Sequence, residues 1–147
     1  MNGALSGAGP ADILLVEDNP DDALLTRIEF EDSGILNPLF VVDDGAAALQ
    51  YLRHEGPHRD ARRPGLVLLD LHLPRVDGHE VLAEIEQDDD LRSIPIIVVS
   101  APTELDQVQE RFADVIIGAL PKPVETPALR EVLRGAARLD SNLLRVR

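Results

Sequence analysis

"LVLLDLHLPRVDGHEVL", residues 66–82, runs from an uninterrupted apolar stretch through one acid into a helix, and that junction decides the fold. Leu66–Leu69 carry no alternation of apolar and polar residues. A strand covered on both faces reads this way, whereas a strand with one wet face alternates. Asp70 closes the run, Asp77-Gly78 gives a turn and a helix start, and Val81, Leu82 and Ile85 recur at helical spacing. Strand followed by helix is the repeating unit of a parallel sheet, because parallel neighbours need a crossover.

Outward from this unit the same pattern repeats. "DILLV" (Asp12–Val16), "LFVV" (Leu39–Val42), "PIIVVS" (Pro95–Ser100) and a stretch within Val115–Leu120 are the other predicted strands. Asn19 precedes Pro20, Asp21 and Asp22, which is the chemistry of an N-cap, a first helical residue and an acidic first turn. Leu24, Leu25 and Ile28 form the expected buried stripe of that helix, and Ser33-Gly34 stops it. Asp44 is the expected cap of the second helix, with Leu49 and Leu52 inward. Thr103 is the expected cap of the fourth, with Asp106 three residues on as part of a capping box. Thr126-Pro127 opens the fifth, whose Leu129, Val132, Leu133 and Ala136 are expected to face the sheet.

Five such repeats predict one α/β domain with a doubly wound, five-stranded parallel sheet flanked by five helices. Right-handed crossovers and this strand count favour the flavodoxin-like order 2-1-3-4-5. The fifth strand is then an edge, where Pro121 can lack an N–H at no cost. The domain is expected over residues 12–139, between a disordered, Gly-rich tail (1–11) and a short tail (140–147). "RHEGPHRDARRPG" (Arg53–Gly65) is a long polar loop, and Phe30, Phe40, Tyr51 and Phe112 are packing residues.

The formal net charge of −13 disfavours nucleic acid and anionic membranes as partners. Absence of cysteine removes disulfides, thiolate catalysis and thiolate zinc sites, and fits a cytoplasmic location. No apolar run has the length of a membrane span.

In an open parallel sheet, ligands bind beyond the carboxyl ends of the strands at the switch in strand order. Strand one delivers Glu17 and Asp18 to that edge, strand three Asp70 and strand four Ser100, and the fifth leads into Lys122. Lys122 is the only lysine, among thirteen arginines, which suggests a site that needs a compact ammonium. Carboxylates ~4 Å apart repel by about 4 kcal/mol at an effective dielectric near 20. A hard cation relieves that repulsion, and oxygen ligands without Cys or a His pair favour Mg²⁺. An aspartate beside Mg²⁺ is a nucleophile toward phosphorus, with Lys122 and Ser100 supplying an ammonium and a hydroxyl to the transferring group.

With these residues in place the chain resembles the receiver domain of two-component response regulators. The resemblance is carried by "LLVEDNPDD", "LVLLDLHLPRVDGHEVL", "PIIVVSA" and "PKPV" in order and spacing, from about Asp12 to Leu139. The extended loop before strand three and the phrase "LDLHLPRVDG" resemble single-domain regulators paired with bacterial phytochromes. The resemblance implies that Asp70 accepts a phosphoryl group from a sensor histidine kinase, and its phytochrome-paired form implies a phytochrome-like kinase. It implies that Asp18 ligates Mg²⁺ directly, Glu17 through water, and His72 by its backbone carbonyl. Ser100 is then the switch hydroxyl, Ala101 leaves access open, Lys122 pairs with the phosphate, and Lys122–Pro123 is cis.

Three residues before the lysine the family usually has Tyr or Phe, and here Ala119 stands there. Output is therefore expected through helix four, the edge of strand five, or a homodimer using helix four, strand five and helix five. The expected activity is signalling through a downstream protein partner, with catalysis limited to the domain's own phosphorylation and dephosphorylation. A phosphorylation-independent binding module is the alternative that Ala119 favours. An aspartyl-nucleophile phosphatase is weaker, because such enzymes place the nucleophile after the first strand and a second Asp two residues on. The four histidines have no metal spacing, and "EQDDD" (Glu86–Asp90) lacks the calcium-loop pattern.

Overall fold

The computed structural model describes residues 11–135 and Leu144. The tails expected over 1–11 and 140–147 lie outside the described residues except for Ala11 and Leu144, as does Ala136. Five strands, β1 (Ile13–Val16), β2 (Leu39–Val42), β3 (Leu66–Asp70), β4 (Ile96–Ser100) and β5 (Gly118–Pro121), form one parallel sheet in the order β2-β1-β3-β4-β5. Five α-helices alternate with them: α1 (Pro20–Asp32), α2 (Gly45–Arg53), α3 (Gly78–Glu86), α4 (Leu105–Arg111) and α5 (Thr126–Gly135). The flavodoxin-like order expected from the sequence is the one observed.

The missing alternation has a direct cause. Leu14, Val16, Val67, Leu69, Ile96 and Val98 belong to one apolar layer, together with residues of α2, α3 and α4. Their strand neighbours Ile13, Leu15, Leu66, Leu68, Ile97 and Val99 belong to the other, with Phe30 of α1 and Leu129 of α5. Every strand residue of β1, β3 and β4 is buried. Adjacent residues point to opposite faces, and both faces are dry.

Local chemistry sets the helix starts. Asn19 accepts from the amides of Asp21 and Asp22, and Asp44 from that of Ala47. Asp77 and Glu80 form a capping box at α3. Each cap satisfies amides that the first turn cannot pair internally.

Three expectations are corrected. Leu24, Leu25 and Ile28 are 54%, 55% and 42% exposed, and α1 instead buries Thr26 and Phe30. The helix carries apolar side chains on both sides, and the Thr26 hydroxyl can enter the core because it donates to the Asp22 carbonyl. Phe40 is 45% exposed, since β2 is an edge strand, though it still meets Tyr51 at 6.4 Å between ring centroids. Thr103 does not cap α4: Pro102–Glu104 form a 3₁₀ turn, and the helix starts at Leu105 with no side-chain cap. The fifth strand, Gly118–Pro121, falls in the last three residues of the stretch Val115–Leu120 and runs one residue past it.

Candidate functional site

The site is assembled at the carboxyl edge of β1, β3 and β4, where the sheet order reverses. The Glu17 amide donates to the Val42 carbonyl at 3.0 Å, extending the β1–β2 ladder by one residue and fixing where the acidic pair leaves the strand. Asp70 is the last residue of β3, and Gly78 is pressed against it. A Cβ at Gly78 would lie 2.5 Å from the Asp70 carbonyl oxygen and 2.5 Å from Leu71 Cα. Only glycine lets α3 begin this close to the strand end. The Lys122 amide donates to the Ser100 carbonyl at 3.1 Å, which seats the lysine beside the end of β4, and the Lys122–Pro123 bond is cis.

From there Lys122 reaches the acids. Its Nζ lies 2.7 Å from Asp70 Oδ2, 3.1 Å from Glu17 Oε1 and 3.5 Å from Asp22 Oδ2. The other Asp70 oxygen, Oδ1, accepts from the His72 amide at 3.0 Å, so both ends of this buried carboxylate are engaged. Glu17, Asp18 and Asp70 each offer a carboxylate oxygen within 4.8 Å of the others. Glu17 and Asp70 are buried and Asp18 is exposed.

One ammonium pairs with three acids, and both burial and their mutual repulsion shape the electrostatics. Burial pushes the Glu17 carboxyl up to about 7, and the hydrogen bond and repulsion with Asp70 add to it; the Asn19 amide and Lys122 act the other way. Burial disfavours the charged Lys122, but its hydrogen bonds to Asp70 and Glu17 outweigh that and hold it well above the usual lysine range. Three closely set oxygen donors with excess negative charge suit a hard divalent cation.

Ser100 is 1% exposed, and its hydroxyl donates to Glu104 Oε2 at 2.8 Å rather than to Asp70. His72 Nε2 lies 2.7 and 2.6 Å from the two Glu104 oxygens. These contacts hold the Glu104 carboxyl below the usual carboxylate range, Ser100 contributing most and His72 next. Ala119 lies within β5 and packs partly buried against the core.

Glu17, Asp18, Asp70, Ser100, Lys122 and the His72 backbone thus meet at one edge, as the strand order implied. Asp22 and Glu104 were not singled out by sequence. Asp22 had a signal, standing four residues after Asp18 in the first turn of α1. Glu104 had none, because its approach depends on the 3₁₀ turn after Pro102. The site opens into a cavity of about 560 Å³, walled by Glu17, Asp70 and Lys122 at one end and by Leu25, Ile28 and Val124 further out.

The chain is similar to known proteins along most of its length. Residues 13–134 match the family described as the response regulator receiver domain. The probable methanogenesis regulatory protein FilR2 of Methanothrix harundinacea is 41% identical over 130 residues, 88% of this chain and 83% of that protein. Response regulator Rcp1 of Synechocystis is 43% identical over 99 residues, 67% of each. The bacteriophytochrome response regulator AtBRR superposes with a TM-score of 0.82 at 33% identity, covering 90% of this chain and 96% of that one. The Mn²⁺-bound form of Rcp1 has a TM-score of 0.72 at 34% identity, covering 94% and 99%. The phosphorylated cyanobacterial phytochrome response regulator RcpA has 0.71 at 36%, covering 86% and 91%. A match reaching from the first strand to the last helix, on a sheet wound in this order, means that the chain belongs to the response regulator receiver domain family.

Proposed function

We propose that this receiver accepts a phosphoryl group from a histidine kinase onto Asp70 and signals through phosphorylation-dependent protein contacts. The observation that carries the assignment is the state of the Asp70 carboxylate. It is buried at the end of the central strand, held through one oxygen by Lys122 and through the other by the His72 amide, and grouped with two further acids.

In this scheme an Asp70 oxygen attacks phosphorus as the bond between phosphorus and the donor's imidazole nitrogen breaks, leaving an acyl phosphate on the aspartate. Lys122 balances the charge of the transferring group, and the Ser100 hydroxyl donates to one of its oxygens. Glu17, Asp18, Asp70 and the His72 carbonyl would hold Mg²⁺, which neutralises phosphoryl charge when bound. The ammonium shared among Asp70, Glu17 and Asp22 is what an acidic cluster shows when it is short of positive charge.

A protein donor must reach Asp70 through the cavity whose outer wall holds Leu25 and Ile28, exposed on α1 beside Pro123 and Val124. We assign that apolar rim to the kinase, and take the kinase to be phytochrome-like on the strength of the similarity to AtBRR and RcpA. The location is taken as cytoplasmic; no helix among the described residues is long and apolar enough to cross a membrane.

The test is exposure to acetyl phosphate with and without Mg²⁺, read by intact mass. Gain of one phosphoryl group per chain, dependent on Mg²⁺ and lost in Asp70→Asn, is the expected result. An unmodified protein with ample donor and metal overturns the assignment. Ala119, in the place of the family's aromatic residue, favours one rival: a module that binds its partner regardless of phosphate. Partner binding or oligomeric state indifferent to Asp70→Asn would establish that rival.

A further inference from the structure

We infer that Glu104 is a positioning residue that captures the Ser100 hydroxyl, and so sets how readily Asp70 stays phosphorylated. The inference rests on Asp70 being the phosphoacceptor.

A serine hydroxyl has one proton to donate. Here that proton goes to Glu104 Oε2 at 2.8 Å, a charge-assisted bond of the stronger kind. Ser100 is 1% exposed, so water is a poor substitute and the hydroxyl needs a protein or ligand partner. A phosphoryl oxygen on Asp70 requires the same proton. Ser100 therefore has two exclusive partners, Glu104 or the phosphoryl group, and whatever strengthens the first weakens the second.

Glu104 is braced in its position. His72 Nε2 contacts both of its oxygens at 2.6 and 2.7 Å, and the His72 amide in turn donates to Asp70 Oδ1 at 3.0 Å. The carboxylate thus ties the loop after β3 to the loop after β4 across the site. It also ends the 3₁₀ turn Pro102–Glu104 directly before α4, a helix that no side chain caps. The Glu104 side chain is 35% exposed, and its removal leaves no cavity in the core.

The experiment compares wild type, Glu104→Ala, Ser100→Ala and the double variant, each folded by melting curve. Each is incubated with sub-saturating acetyl phosphate and Mg²⁺, and the phosphorylated fraction and its decay after donor removal are read by intact mass. Glu104→Ala is expected to shift the balance toward the phosphorylated form by roughly fivefold, the effect of losing one net hydrogen bond. Glu104→Gln, which keeps an acceptor for Ser100 but drops the charge, should shift it less. His72→Ala, which removes the brace, should shift it in the same direction. In the Ser100→Ala background Glu104→Ala should change nothing, a cancellation that a merely structural role would not produce. If wild type is labelled and Glu104→Ala matches it, or if the effect survives without Ser100, the inference alone is overturned. If wild type is never labelled, the assignment of Asp70 falls and the inference falls with it.

Discussion

At the scale of the residue, the decisive feature is one ammonium serving several acids. The side chains of Asp70 and Glu17 are 3% and 5% exposed, whereas that of Lys122 is 32% exposed. Lys122→Ala leaves two buried carboxylates without their counter-charge, and the expected loss of stability is about 3 kcal/mol, the lower end for a broken buried pair because water reaches the lysine. Adding Asp70→Asn to that variant removes one of the orphaned charges and should restore much of the loss; urea denaturation measures both. Lys122→Arg keeps the charge but places a planar fork where a point charge sits, so labelling by acetyl phosphate should fail while stability is largely kept. Asp44 gives a prediction in pH. Its carboxyl lies below the ordinary value of 3.8, first because the Ala47 amide donates to it, then, against the cost of burial, because Arg75 pairs with it. A depressed folded value means stabilisation that is complete above the ordinary Asp range and lost as pH falls through the folded value. Asp44→Asn keeps a capping oxygen but not the charge, so it should cost on the order of 1 kcal/mol at neutral pH. That cost should shrink as pH falls from above the ordinary Asp range through the folded value, as urea unfolding across that range would show.

At the scale of the element, what the sequence discloses depends on whether the cause is local. The strands β1, β3 and β4 are legible because residues buried on both sides must be uniformly apolar. The starts of α1, α2 and α3 are legible because Asn19, Asp44 and Asp77 bond to amides two or three residues on. The rotation of α1 about its axis is not, since Leu24, Leu25 and Ile28 compete with Ala23, Thr26 and Phe30 for the sheet, and only the space left by Leu15, Ile35 and Leu129 decides between them. The candidate site divides in the same way. Glu17, Asp18, Asp70 and Ser100 follow from strand ends, while Glu104 enters from a turn whose course is set by tertiary packing. The exposed stripe of α1 yields a discriminating test. Leu25→Gln with Ile28→Gln should change stability by no more than about 0.5 kcal/mol, as surface substitutions do, whereas Leu129→Ala, fully buried on α5, should cost about 2–5 kcal/mol. The same double substitution should slow phosphotransfer from a cognate histidine kinase at least tenfold (about 1.4 kcal/mol) and leave labelling by acetyl phosphate unchanged. Equal rates from the kinase would remove α1 from the docking surface.

At the scale of the whole molecule, the net charge of −13 and the acidic cluster act together. Self-repulsion of so many like charges opposes the compact state, and the carboxyl edge of the sheet concentrates that repulsion at Glu17, Asp18, Asp22 and Asp70. Salt relieves the general part, because the Debye length falls from about 30 Å at 0.01 M to about 8 Å at 0.15 M. A bound divalent ion relieves the local part, and only the folded chain brings the three carboxylates within reach of one ion. The two contributions can be separated by melting the protein at fixed ionic strength while NaCl is replaced by MgCl₂. The general response should then stay constant, and any gain reports binding to the folded state. At a hundredfold excess over the dissociation constant that gain is about 2.7 kcal/mol, or several degrees for a domain of this size. Asp18→Asn should behave oppositely in the two media. Without Mg²⁺ it removes one repelling carboxylate and should melt slightly above wild type. With Mg²⁺ it lacks an oxygen ligand of full charge and should melt below it, while its response to NaCl stays that of the wild type. A crossing of the two melting series identifies the acidic edge as a metal site held open at a cost in stability; parallel series would mean that the cluster tolerates its own charge without an ion.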